Sequence, residues 1–187
     1  LNDNTPVIAC FSNYMWNERL QLEFARRIKL QHPEVITVFG GPNFPNGLSK
    51  QQGFLQQHRE IDFYVEGEGE HSFVELFRAL ESVGFDGVKF KSGLVHIPNV
   101  HYLSNDNFIC AELLPRIRDI DSAFPSPYLS GMLDEFFDDL LTPLVQTSRG
   151  CPYSCTFCHD GIPYMNKTPR FSQQRINQEF SYISDRV

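Results

Sequence analysis

Apolar and polar positions fall into alternating blocks over the first eighty residues. Val7-Ile8-Ala9-Cys10-Phe11 is an unbroken apolar run, as expected of a strand buried on both faces of a parallel sheet. Leu20, Phe24 and Ile28 then recur at helical spacing with Ala25 beside them, and Pro33 ends that segment. Val35-Ile36-Thr37-Val38-Phe39 reads as a second strand, stopped by Gly40-Gly41-Pro42. A weaker helix is predicted over 47–59, with Gly53 counting against it. Ile61, Phe63 and Val65 mark a third strand. After Gly67-Glu68-Gly69-Glu70, a helix carries Phe73, Leu76, Phe77 and Leu80 on one face. This βαβαβα order predicts an α/β fold with a doubly wound, Rossmann-like parallel sheet. In such sheets ligands bind at the carboxyl ends of the strands. The loops there run from Ser12 through Tyr14 to Trp16, from Gly40 and Gly41 through Pro42 to Asn43, and from Gly67 and Glu68 to Gly69 and Glu70.

Farther on, the pattern breaks into shorter pieces. Residues 84–111 read as short strands, Val95–Ile97, Val100–Leu103 and Phe108–Cys110, forming a small β-appendage with His96 and His101 on its surface. Residues 112–142 are punctuated by Pro115, Pro125 and Pro127, so Ile120–Leu129 is expected to be an extended linker. The acidic stretch Ser130–Leu141, with Asp134, Glu135, Asp138 and Asp139, is expected to hold a short helix. Leu144-Val145-Gln146-Thr147 reads as a strand. Ser172 is placed to cap a helix with Ile176, Phe180 and Ile183 on its inner face. The expected division is therefore a Rossmann-like domain over 1–111, a linker over 112–142 and a second domain from 143 to 187.

Composition narrows the function. A hydrophobic content of 41% over 187 residues allows a core. The formal net charge is −7 with no basic run, which argues against a nucleic-acid-binding surface. No apolar stretch approaches the length of a membrane span. The five cysteines are an odd number, three of them in one loop. This suggests a reducing, cytoplasmic setting rather than a disulfide framework. Cys10 and Cys110 read as buried or half-buried residues of strands.

Most of the chemistry is concentrated in Arg149-Gly150-Cys151-Pro152-Tyr153-Ser154-Cys155-Thr156-Phe157-Cys158. Cys151, Cys155 and Cys158 are spaced C-x-x-x-C-x-x-C. Three thiolates on one short loop can hold three irons of a [4Fe–4S] cube, whereas an all-cysteine cluster uses four. The fourth iron is then open, and substrate chemistry can take place there. Two alternatives stand beside this. Cys155-Thr156-Phe157-Cys158 could be a redox pair. A structural zinc site is also possible, with His159 as the nearest fourth ligand. A non-catalytic Rossmann-like module holding zinc or a structural cluster is therefore the competing reading. Lys167 and Arg170 read as solvated loop charges.

The cysteine run resembles the cluster loop of radical S-adenosylmethionine (SAM) enzymes. The Gly-Gly-Pro and Gly-Glu-Gly-Glu loops are similar to those of the cobalamin-binding domain that precedes the barrel in one large class of these enzymes. Together the two resemblances cover nearly the whole chain, including a similar Pro-Ser-Pro-Tyr-Leu connector at 125–129. They imply that Cys151, Cys155 and Cys158 ligate the cluster and that the open iron chelates SAM. They imply that Phe157 lies against the adenine side of SAM. They also imply that Ser12, Tyr14, Gly40, Gly41, Pro42, Asn43, Gly67, Glu68, Gly69 and Glu70 line a cobalamin site. Residues 143–187 would then begin a TIM-type barrel and the chain would be a fragment, inactive alone. The implied activity is radical-based methyl transfer or rearrangement of an unknown substrate, with electrons from a donor such as flavodoxin or ferredoxin. One departure is plain: the Asp-x-His-x-x-Gly signature of proteins that ligate cobalamin through histidine is absent.

Overall fold

The computed structural model describes residues 7–138, 140–158, 161 and 163–187. The expectations placed on Asp139 and His159, and on the loop at 160 and 162, lie outside the described residues. In chain order the elements are β1 (Ile8–Ser12), α1 (Glu18–Gln31), β2 (Ile36–Gly40), α2 (Leu48–Gln57), β3 (Phe63–Val65), α3 (Glu70–Ser82), α4 (Gly87–Ser92), β4 (Val100–Ser104), β5 (Asn107–Ile109), α5 (Ile120–Ala123) and α6 (Gln173–Ser184). A 3-10 turn spans Asp134–Phe136. The chain forms two compact units, Leu1–Leu114 and Pro115–Val187. No helix among the described residues is long and apolar enough to cross a membrane.

The first unit is an open, mixed and mostly parallel sheet in the order β1-β2-β3-β4-β5. β1 pairs parallel to β2 with Ile8 opposite Ile36, and β2 pairs parallel to β3 with Val38 opposite Phe63. Side chains alternate across the sheet. Ile36, Val38, Phe63 and Val65 face Leu76 and Leu80 of α3 and Phe90 of α4. Phe39 and Tyr64 face Ala25 of α1, Leu55 of α2 and Phe44. Helices therefore cover both faces, and the expected α/β class holds. Full burial of Leu76 and of Leu80 contributes roughly 1.5–3 kcal/mol each.

Several local expectations change. β1 is half-buried and Cys10 exposed, because β1 has a sheet neighbour on one side only among the described residues. In α1 the buried residue is Ala25, while Leu20 and Phe24 face outward, as does Phe77 of α3. A small residue lets the helix backbone approach the sheet, so the stripe that touches the strands is not the one with the largest side chains. Residues 87–92 are helical, capped by the Asp86 carboxylate, which accepts from the Lys89 amide at 2.9 Å. β4 and β5 do not stand apart. β4 pairs antiparallel to β3, with His101 opposite Tyr64, and so extends the main sheet. His96 is exposed as expected, but His101 is buried at 2% exposure.

In the second unit, α5 replaces part of the expected extended linker, and among the described residues of the acidic stretch only the 3-10 turn forms. The Ser172 side chain caps α6, accepting from the Arg175 amide at 3.2 Å. The Asp121 carboxylate accepts the Ser172 amide at 2.7 Å, which ties α5 to the start of α6. Ile183 is buried as expected, but Phe180 faces outward and Glu179 inward. Glu179 is tolerated there because Arg175 donates to it at 3.0 Å while stacking on Phe171 at 4.1 Å. Leu144–Thr147 is not a strand. Among the described residues, the β pairing next to it is an isolated antiparallel bridge between Ser148 and Arg170. A barrel strand needs parallel neighbours, and the second unit supplies none among its described residues.

At the amino ends of the strands, Asp62 holds the sheet to two helices. Its carboxylate pairs with Lys29 of α1 and with Lys91 of α4, the latter at 2.8 Å. It also accepts from the Thr37 amide of β2 at 2.9 Å. Burial pushes the Asp62 carboxyl up, but the Lys91 and Lys29 ammonium groups outweigh that and hold it below its ordinary value. A depressed folded pKa means that the stabilisation is complete above the unfolded value of about 3.9 and is lost as pH falls through the folded value. Asp62→Asn is expected to lower stability by about 3 kcal/mol, since both lysines lose their counter-charge. Urea unfolding at pH 7 and pH 3 checks this, and the gap between wild type and variant should narrow at the lower pH.

Candidate functional site

Parallel pairing brings the carboxyl ends of β1, β2 and β3 to one edge of the first unit. The three loops expected at a ligand site therefore meet there. Ser12, Gly67 and Glu70 are exposed, whereas Tyr14, Gly40, Gly41, Pro42, Asn43, Glu68 and Gly69 are half-buried. Tyr14 stacks on Trp16, with ring centroids 4.6 Å apart, and Met15 and Trp16 stand out into solvent.

The residue that organises this edge is Asn13, which sequence reasoning left as one member of a loop. It is fully buried. Its amide side chain donates to the Tyr64 hydroxyl at 3.2 Å, and that hydroxyl donates to the Gly41 carbonyl at 3.1 Å. The Asn13 backbone amide donates to the Gly40 carbonyl at 2.6 Å, and the Asn43 amide to the Asn13 carbonyl at 3.2 Å. Burial pushes the Tyr64 hydroxyl well above the ordinary phenol range, against the pull of the Asn13 hydrogen bond. Tyr64 therefore stays a neutral donor. The Asn43 side chain reaches Glu18, at the start of α1.

Gly41 has a structural cause inside this network. Its φ is +118°, and a Cβ there would lie 2.6 Å from the Asn13 carbonyl oxygen. The close approach that demands glycine is thus to Asn13 itself rather than to a ligand. Gly67 also has a positive φ, +74°, and turns the chain from β3 toward α3. Glu70 sits in the first turn of α3, where a carboxylate is favourable.

In the second unit the three cysteines lie on one turn-rich loop. Cys151 is half-buried, and Cys155 and Cys158 are exposed. The Cys158 amide donates to the Cys155 carbonyl at 3.1 Å, and the Cys151 amide to the Met165 carbonyl at 3.2 Å. Among the described residues no three His, Cys, Asp or Glu side chains converge where one metal ion could sit. The donor set still suits a cluster: three accessible thiols lie within eight residues on a loop anchored at its first member. Phe157 is 91% exposed.

The anchor is Arg116, which no local pattern singles out. It is buried and donates to the Lys167 and Met165 carbonyls at 3.1 and 3.3 Å. Gly150, at φ +89°, passes directly over it. A Cβ there would lie 2.4 Å from the Arg116 guanidinium, 2.5 Å from the Lys167 oxygen and 2.7 Å from the Met165 oxygen. The glycine of the Gly-Cys-Pro turn is therefore fixed by packing before any metal is considered. Gly150→Ala is expected to cost roughly 2 kcal/mol or more in local strain. The result should be faster amide exchange at Cys151 with little change in the first unit.

No family model matches the chain. Among curated proteins, it is 32% identical over 191 residues to the 2-(S-pantetheinyl)-carbapenam-3-carboxylate methyltransferase of Streptantibioticus cattleyicolor. It is 30% identical over 190 residues to the cobalamin-dependent radical SAM methyltransferase TokK of Streptomyces tokunonensis. Each of these matches takes in 96% of the chain and 26% of the relative. The hopanoid C-3 methylase of Methylococcus capsulatus is 27% identical over 186 residues, which is 96% of the chain and 33% of that protein. The chain thus spans about a quarter to a third of the length of these relatives. Across nearly its whole length it is homologous to these proteins, which is consistent with a cobalamin-binding-type stretch of a radical SAM enzyme.

Proposed function

We propose that this chain is part of a cobalamin-dependent radical SAM methyltransferase. The observation that carries the reading is the joint occurrence of two features in one homologous stretch. One is the C-x-x-x-C-x-x-C loop. The other is the sheet edge built from Ser12, Tyr14, Gly40–Asn43 and Gly67–Glu70. Cys151, Cys155 and Cys158 would hold a [4Fe–4S] cluster with one iron left for SAM. The loops of the first unit would hold cobalamin, with the Asn13–Tyr64 network fixing their backbone. One-electron cleavage of SAM and carriage of a methyl group are the chemistry these groups supply when bound. The chain's own part is to ligate, orient and exclude water.

Methyl transfer is favoured over rearrangement because the similar curated proteins named above are a carbapenam methyltransferase, a second methyltransferase and a methylase. An external one-electron donor such as flavodoxin or ferredoxin and a cytoplasmic setting complete the proposal. The reading of a non-catalytic module with a zinc or structural iron–sulfur site is not favoured, because it leaves the homology over the sheet edge unexplained.

Anaerobic reconstitution of the full-length protein with iron, sulfide and hydroxocobalamin tests the proposal. About four irons per chain are expected, with an electron paramagnetic resonance signal that changes when SAM is added. Cys155→Ala should abolish that change while leaving the circular dichroism of the protein intact. One tightly held zinc with no response to SAM would overturn the proposal.

A further inference from the structure

The first unit holds a buried histidine that the proposed function does not use. His101 lies in β4 with its side chain 3% exposed, and its Nε2 stands 2.8 Å from the Oε2 of Glu66. That contact departs from hydrogen-bond angles, and neither ring nitrogen has a hydrogen-bond partner among the described residues. The ring is held by aromatic packing, near-parallel to Phe108 at 6.0 Å and tilted against Phe44 at 5.6 Å. A second buried group meets the same carboxylate: Gln51 of α2, 4% exposed, donates from Nε2 to Glu66 Oε2 at 3.1 Å.

Glu66 is the first residue after β3 and the root of the Gly67–Glu70 loop. Its side chain is therefore hydrogen-bonded from α2 and in close contact with the His101 ring of β4. Its backbone is gripped as well: the Glu66 amide donates to the Asn99 carbonyl at 2.8 Å. Asn99, buried and in the left-handed region at φ +63°, donates from Nδ2 to the Glu68 carbonyl at 3.3 Å. Its Oδ1 accepts from the Leu114 amide at 2.6 Å. The glycines of the loop itself supply no rigidity. A buried polar group with incomplete partners is costly, and an apolar residue would fill the His101 position without that cost.

We infer that His101, with Gln51, positions Glu66 and so presets the Gly67–Glu70 loop in the conformation that receives a ligand at the sheet edge. They are positioning residues, acting through Glu66 and not through contact with the ligand. The inference rests on the proposed cobalamin reading for the identity of that ligand, but not for the mechanical role. The clamp spans β3, β4 and α2, so it couples the loop to the rigid part of the sheet.

The test uses the full-length protein and its His101→Gln and Glu66→Gln variants. Circular dichroism establishes that each is folded. Amide hydrogen exchange is read at residues 67–70 and at β2, and hydroxocobalamin is titrated by absorbance. In both variants the loop amides should exchange at least tenfold faster while β2 is unchanged, and hydroxocobalamin should bind at least tenfold more weakly. If His101→Gln fails to fold, Gln51→Leu replaces it with the same expectation, because it removes the other grip on Glu66. Loop exchange unchanged in folded variants overturns the inference. Faster loop exchange in a protein that binds no hydroxocobalamin even as wild type supports the positioning role and overturns the cobalamin reading alone.

Discussion

Parallel pairing of β1, β2 and β3 is the constraint on which the first unit depends. Parallel strands run their carboxyl ends to the same edge, so three loops separated by tens of residues become neighbours without any contact of their own being needed. The pairing also leaves both sheet faces apolar, and helices must cover each. The core divides accordingly, with α3 and α4 against one face and α1 and α2 against the other. The two ends of the strands have opposite characters. The amino end is held by a carboxylate between two ammonium groups, and the carboxyl end by neutral amides, a hydroxyl and backbone carbonyls.

That difference suits a site. An ion pair such as Asp62 with Lys29 and Lys91 gives firm attachment. It would also impose strong local charge on anything bound beside it. The Asn13–Tyr64–Gly41 network gives comparable order with no net charge, and burial keeps the Tyr64 hydroxyl protonated. Backbone and neutral polar groups make up the part of this edge that the Asn13 network holds. Of the carboxylates nearby, Glu18 accepts from Asn43 and Glu66 from Gln51, while Glu68 and Glu70 belong to the loop itself.

The second unit follows another principle. Its described residues form no sheet, and its order comes from arginines that make several interactions each. Arg116 closes the loop that begins at Gly150, and Arg175 links Phe171, Phe124 and Glu179 around the start of α6. A planar guanidinium with five donors can satisfy carbonyls that no strand neighbour satisfies. The cysteine loop thus has a defined anchor at its first member and accessible thiols along the rest of its length.

The α/β core, the three loops at the carboxyl edge of its parallel strands and the cysteine spacing were legible in the sequence. These are local patterns: apolar runs, helical periodicity, glycine turns and thiol intervals are written in consecutive residues. It also located the Ser172 cap, since a cap is a contact three residues long. The rest depended on long-range packing. The stripe of α1 that faces the sheet is set by how closely Ala25 lets two backbones approach, and not by where its largest side chains fall. β4 joined the sheet, and His101 was buried with it, because β3 offered an open edge. Leu144–Thr147 has strand composition but no parallel neighbour among the described residues, so it did not become a strand. Asn13, Arg116 and Asn99 owe their importance to partners 31 to 51 residues away. A polar residue in a loop looks the same in sequence whether it faces water or a buried carbonyl, and only the closed fold distinguishes the two.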